Sequence, residues 1–128
     1  MKSLFFFILL SFLNQVGFAQ PDFQKTINAL KSSDVSIIVQ QLDEKTEMVI
    51  DEADGTYSRT QSLSILKQFF DKNQAKNCAL IHSGAARDGE SFYCIASLKT
   101  SLGGYRVYVF YKKNSNQYLI QELRIEAE

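Results

Sequence analysis

Residues 58–83, SRTQSLSILKQFFDKNQAKNCALIHS, contain the change of period that decides the fold. Ser58-Arg59-Thr60-Gln61 is a capping box: the first and fourth side chains each satisfy the other's backbone N–H at a helix start. Leu63, Leu66, Phe69 and Phe70 then recur at helical spacing, so a helix opens at the box. From Asn77 onward the pattern is that of extended chain. Residues 78–83, 92–100, 105–112 and 118–125 are rich in β-branched and aromatic side chains. They are divided by Arg87-Asp88-Gly89, Leu102-Gly103-Gly104 and Lys113-Asn114-Ser115-Asn116. The expectation is a meander of four antiparallel strands.

Upstream of the box, Pro21-Asp22 is a good helix entry, with Pro early and an acid to oppose the helix dipole. Phe23, Ile27 and Leu30 share one helical face, which ends at Lys31-Ser32-Ser33. Asp34 can cap a second short helix, in which Val35, Ile38, Val39 and Leu42 fall at i, i+3, i+4 and i+7. Met48-Val49-Ile50 reads as a short strand, with Asp54-Gly55 as the turn that returns the chain through Thr56-Tyr57. Helices first and strands afterwards is the order of an α+β domain, with the helices packed on one face of a curved antiparallel sheet.

The chain has 128 residues, 14 of them basic and 14 acidic. Met1-Lys2-Ser3 is a short positive start, residues 4–13 are apolar apart from Ser11, and Gly17-Phe18-Ala19 sets small residues where a signal peptidase reads. A bilayer span needs about 20 apolar residues, and this run is half that length. Residues 1–19 are therefore expected to be a secretory signal peptide, and residues 20–128 one domain, secreted or periplasmic and free of the membrane after cleavage. No Cys follows Ala19 to carry a lipid. Cleavage removes only Lys2 among the charged residues, leaving 13 basic and 14 acidic side chains. So balanced a charge gives no electrostatic reason to expect nucleic acid as a partner. In an oxidising compartment Cys78 and Cys94 are a candidate disulfide, worth on the order of 3 kcal/mol in the chain-entropy model. The competing reading is two buried free thiols, since Cys packs as a small hydrophobe.

This order of elements resembles the nuclear-transport-factor-2-like fold, also called ketosteroid-isomerase-like or cystatin-like. Gly55-Thr56-Tyr57-Ser58, residues 65–70 (ILKQFF), Ile81-His82-Ser83-Gly84, Tyr105-Arg106-Val107-Tyr108 and residues 121–125 (QELRI) further resemble a family of small secreted bacterial proteins of unknown function. The resemblance implies a cone whose interior serves relatives as a ligand or catalytic cavity, and whose open sheet face often forms dimers. It implies no particular activity, because one fold hosts many functions.

The residues themselves exclude several chemistries. Cys78 and His82 lie four apart in an expected strand, roughly 13 Å, too far to share a metal. The single His precludes a hydrolase triad with neighbouring Ser83, which points to the opposite face. Gly103-Gly104 joins two strands rather than opening a helix, so no nucleotide loop is present. No metal and no cofactor are expected. A ketosteroid-isomerase-type site needs a carboxylate base and a hydrogen-bond donor inside an apolar cavity. Asp51, with Tyr57 opposite across the hairpin, supplies those types, and His82 is an alternative base. These three are the candidate pocket residues, against the competing reading that Asp51 solvates a turn and His82 is structural.

Tyr93, Tyr105, Tyr108, Tyr111 and Tyr118 fall on the last three strands with Phe92 and Phe110. A final hairpin that pairs Arg106 with Glu122 and Tyr108 with Ile120 makes Arg106, Tyr108, Phe110, Ile120 and Glu122 a charged-rimmed aromatic patch, and so a candidate interface. The leading expectation is a non-enzymatic binding or interaction module, holding a small apolar ligand in the cone or associating with itself or a partner through the sheet face. The alternative is a cofactor-independent isomerase, dehydratase or hydrolase.

Overall fold

The computed structural model describes residues 20–128, so the expected signal peptide, residues 1–19, lies outside the described residues. Helix α1 (Phe23–Lys31) opens where the Asp22 carboxylate accepts the Lys25 N–H at 3.0 Å. Helix α2 (Val35–Gln40) opens where Asp34 accepts the Ile37 N–H at 3.2 Å, after Ser33 turns the chain with a positive φ of 55°. Both caps are the acids that the sequence places there.

Leu42 does not continue α2. It starts β1 (Leu42–Ile50) and is fully buried there. The helix stops because Gln41 folds back on it: its amide donates to the Ile37 carbonyl at 3.0 Å, while its side-chain oxygen accepts the Thr26 hydroxyl at 2.6 Å. Strand β1 is thus much longer than the three residues expected, and β2 (Ala53–Ser58) returns after a two-residue turn at Asp51-Glu52. Asp51 takes a φ of 52°, a left-handed conformation that Asp tolerates better than most residues. The expected turn at Asp54-Gly55 lies inside β2, opposite Val49 and Met48. Nothing in that strand position requires a glycine, since a Cβ there would lie 3.5 Å from the Tyr57 hydroxyl, an ordinary contact.

Helix α3 (Arg59–Lys72) begins at the capping box, with Ser58 Oγ accepting the Gln61 N–H at 3.2 Å and Gln61 Oε1 accepting the Ser58 N–H at 2.9 Å. Ser58→Ala is expected to lower stability by about 1 kcal/mol, read as a lower urea midpoint with an unchanged slope. An unmoved midpoint would mean that α3 is held by packing alone.

The meander follows as β3 (Ala75–Ala85), β4 (Ser91–Thr100), β5 (Gly103–Asn114) and β6 (Gln117–Ala127). The six strands form one sheet in the order β2-β1-β6-β5-β4-β3. It is mixed rather than wholly antiparallel. The edge of β1 not used by β2 takes the last strand of the meander, which arrives running the same way, so β1 and β6 pair in parallel. The final hairpin is also shifted by four residues from the expected register: Arg106 lies opposite Glu126, Tyr108 opposite Arg124 and Phe110 opposite Glu122. Two local features set this. The turn is short, with Ser115 at a φ of 57°, and an extra residue, Gln121, bulges between Ile120 and Glu122.

The bulge moves Ile120 to the other face. It lies opposite Tyr111, fully buried, and is not part of the candidate interface. Helices α1 and α3 cover one face of the sheet, and Ile27, Leu30, Leu66 and Phe69 meet Leu98, Val107, Val109, Leu123 and Ile125 there.

Candidate functional site

The space between helices and sheet is occupied by the protein's own side chains. At the α1 end, Phe23 sets its ring 5.5 Å from that of Tyr111, edge to face, and Phe92 does the same with Tyr118 at 5.4 Å. Beneath them runs a buried polar chain. Tyr111 donates its hydroxyl to Thr26 Oγ1 at 2.6 Å, and Thr26 in turn donates to Gln41 Oε1 at 2.6 Å. Cys94 Sγ lies 3.9 Å from the Tyr111 hydroxyl. Burial pushes the Tyr111 hydroxyl well above the ordinary tyrosine range, with the neighbouring Cys94 adding to it. A tyrosine held neutral and already donating to Thr26 ties α1 to the sheet rather than offering a proton to a substrate.

The three candidate pocket residues lie apart. Asp51 is exposed on the β1–β2 turn, and Tyr57 lies opposite Thr46, five residues from Asp51 along β1 and so roughly 17 Å away. His82 is exposed on β3, four strand spacings or roughly 19 Å from β1. Asp51 does line a surface hollow of about 590 Å³, floored by Ile50 and Phe69 and flanked by Glu52, Lys72 and Leu102. Neither Tyr57 nor His82 reaches it. A carboxylate there has no tyrosine or imidazole beside it with which to shuttle a proton. Among the described residues no three His, Cys, Asp or Glu side chains group to hold a metal ion.

Both thiols are free and buried. Cys78 lies opposite Leu98 and Cys94 opposite Ser83, so the two are four positions out of step along β4. Burial pushes each thiol up from 9.0 to about 11, and for Cys78 the neighbouring Cys94 adds to the effect.

The uncovered face of the sheet is organised in cross-strand rows. Its middle row reads Asp54, Val49, Arg124, Tyr108, Ile95 and His82 from β2 across to β3. A neighbouring row carries Glu47, Glu122, Phe110, Tyr93 and Gly84, and the row on the other side carries Glu126, Arg106 and Ser97. Tyr93 lies across Gly84, where an added Cβ would come within 3.0 Å of the ring, and its hydroxyl reaches His82 Nε2 at 2.8 Å. Tyr93 and Tyr108 stack with centroids 6.4 Å apart and 21° between planes. Burial raises the Tyr108 hydroxyl above its ordinary value, with Glu122 adding to the effect. Arg124 donates to Glu122 at 2.6 Å and to Glu126 at 3.4 Å.

Arg106, Tyr108, Phe110 and Glu122 therefore share this face, as the sequence indicated. Tyr93, Ile95 and Arg124 join them. Strand alternation alone could have found these three, since Ile95 and Arg124 each sit between buried neighbours in sequence and Tyr93 sits between half-buried Phe92 and buried Cys94.

A helix-backed six-stranded sheet of this order defines the nuclear-transport-factor-2-like, or cystatin-like, α+β class. The chain belongs to the family described as domain of unknown function DUF4783, whose sequence pattern matches residues 23–126. A solved DUF4783 family protein from Bacteroides ovatus is 29% identical, with a TM-score of 0.77 over 88% of this chain and 98% of its own. An NTF-2-like protein of unknown function from Silicibacter pomeroyi is 9% identical, with a TM-score of 0.61 over 83% of this chain and 89% of its own. A cystatin-like domain from Nostoc punctiforme is 11% identical, with a TM-score of 0.65 over 83% of this chain and 72% of its own. The last two share the fold alone. No curated protein matches the chain.

Proposed function

We propose that this protein is a non-enzymatic binding module that works through its open sheet face, self-association being the interaction that face supports best. The observation that carries the reading is the aromatic strip of Tyr93, Tyr108 and Phe110 with Ile95, half-buried on a face that no helix covers. Tyr and Arg are the residue types that interfaces concentrate, and here they stand side by side on rigid strands. The compartment fits: a secreted or periplasmic domain with balanced charge is suited to protein contacts rather than to nucleic acid.

A small apolar ligand in the cone, or an isomerase, dehydratase or hydrolase acting there, has less support. Phe69, Tyr111 and their neighbours fill that space, and Asp51, Tyr57 and His82 do not converge on it.

The test is sedimentation of residues 20–128 at micromolar concentrations and above, alongside Tyr108→Glu. The native sequence is expected to sediment as a dimer. Tyr108→Glu is expected to sediment as a monomer with a thermal midpoint within a few degrees, because the substitution lies on the surface and touches no core side chain. A dimer indifferent to Tyr108→Glu would place the contact elsewhere.

A further inference from the structure

We infer that the outer edge of β3 takes up an extended segment of a partner protein, acidic and apolar by turns, as a further strand of the sheet. This goes beyond the face reading above, because it concerns the rim of the sheet and a different partner. Strand β3 ends the sheet and is hydrogen-bonded to β4 on one side only. Among the described residues no other backbone hydrogen bond falls on Ala75–Ala85, so the outward N–H and C=O groups of this 11-residue strand have no protein partner.

A free edge is normally blunted by shortness, charge or proline. Strand β2, at the opposite rim, is 6 residues long and carries Asp54 just after the acidic turn Asp51-Glu52. Strand β3 lacks that protection: after Lys76, residues 77–85 hold no Asp, Glu, Lys, Arg or Pro. They hold apolar surface instead. Of the large apolar side chains exposed among the described residues, Leu80 at 40% and Ile81 at 55% stand next to each other here. Ile81 is an extra residue in the ladder with β4, and its bulge breaks the alternation that would send these neighbours to opposite faces.

Charge names the chemistry of the occupant. The elements that flank this rim are β3 itself, β4 and helix α1, which packs against β3. Together they carry Lys25, Lys31, Lys76 and Lys99, and no Asp or Glu. Lys99 is drawn to Glu128 at 3.5 Å, whereas Lys25, Lys31 and Lys76 are exposed and make no ion pair among the described residues. The acids nearest in sequence are engaged: Asp22 accepts the Lys25 N–H, and Asp88 accepts the Ser91 hydroxyl and the Glu90 and Ser91 N–H groups. A backbone ladder gives affinity for any extended chain, and pockets for alternate side chains give specificity. Here the lysines select acids and the Leu80-Ile81 pair selects apolar residues.

The probe is a fluorescently labelled peptide of about six residues, the usual strand length, in which Glu and Val alternate. Fluorescence anisotropy with residues 20–128 is expected to show saturable binding at least about tenfold tighter than that of the same peptide with Lys in place of Glu. Methylating alternate backbone nitrogens of the Glu–Val peptide removes the donors of its pairing edge and is expected to weaken binding at least about tenfold. Amide exchange in the complex is expected to slow on β3 and not on β2. Ile81→Glu is expected to weaken binding at least about tenfold with the thermal midpoint nearly unchanged, because the side chain is exposed. Leu102→Glu, at an exposed leucine on the β4–β5 turn, is the control expected to bind as the native chain does. Tyr108→Glu should also bind as the native chain does, which separates the rim from the open face. The inference is overturned by no binding, by equal binding of the Lys peptide, or by binding that survives backbone methylation or Ile81→Glu. Binding lost in Tyr108→Glu would move the peptide to the open face and overturn the edge. Protection of β3 that rises with protein concentration in the absence of peptide would put a second copy there and overturn the acidic partner.

Discussion

Phe69→Ala is expected to lower the unfolding free energy by about 3–5 kcal/mol, the range for truncating a buried aromatic ring. Phe69 is 1% exposed, on the face of α3 that meets the sheet. Its ring packs edge to face on Phe70 at 5.1 Å and on Tyr105 at 5.1 Å, and Tyr105 in turn donates its hydroxyl to the Asn73 side chain at 2.9 Å. Deleting the ring removes the transfer energy of the side chain and leaves a void, which the hydrogen-bonded Tyr105 and the helix backbone are poorly placed to close. A domain of this size has only about 5–15 kcal/mol to lose. Equilibrium urea unfolding at constant slope measures it, with Phe110→Ala on the open face as the control expected to change little in the monomer. A loss at Phe69 no larger than at Phe110 would mean that the cone is not packed as described.

Stability is expected to fall as pH rises from 9 toward 11, under reducing conditions and with no oxidation required. Both thiols are raised in the folded state from 9.0 to about 11, chiefly by burial. The unfolded chain therefore ionises first, so their contribution is complete below pH 9 and is lost as pH climbs through the window. Each such group contributes a slope of up to roughly 1.4 kcal/mol per pH unit. Discounting for partial solvent screening, the loss by pH 11 is on the order of 2 kcal/mol. Tyr111, raised by its own burial, acts in the same sense at still higher pH. Urea midpoints taken at successive pH values read the effect, and Cys94→Ala should flatten the profile whatever its cost at neutral pH. An unchanged slope in that variant would show that Cys94 ionises as freely in the fold as out of it.

The helix starts are the most legible part of the fold. Asp22, Asp34 and the Ser58–Gln61 box cap α1, α2 and α3 as expected, because a cap is a contact between residues three apart and needs no tertiary partner. Boundaries set by long-range contacts are not legible. Leu42 continues the spacing of α2, yet it belongs to β1, since Gln41 is drawn off to Thr26 on another helix. Gly55 looks like a turn residue and is instead a strand position opposite Met48.

The candidate site divides in the same way. Arg106, Tyr108, Phe110 and Glu122 share the open face because a four-residue shift in register is even and leaves each side chain on its own side. Ile120 changes sides because one bulged residue is odd. Leu119-Ile120-Gln121-Glu122-Leu123 does break strict alternation, but a bulge and a strand end break it alike. Grouping Asp51, Tyr57 and His82 requires a hairpin turn three residues from its true place, and a sheet whose strand order the sequence does not state.

Sequence alone determined the order of the elements, the caps, the class of fold and the aromatic content of the last strands. All of these follow from periodicity and from neighbours a few residues apart. Only the tertiary structure decided that β1 pairs in parallel with β6, that Ile120 is core, and that Asp54, Val49, Arg124, Tyr108, Ile95 and His82 fall in one row. Those facts depend on register between strands distant in the chain, and register is settled by the sum of many cross-strand and core contacts, none of which one segment can specify by itself.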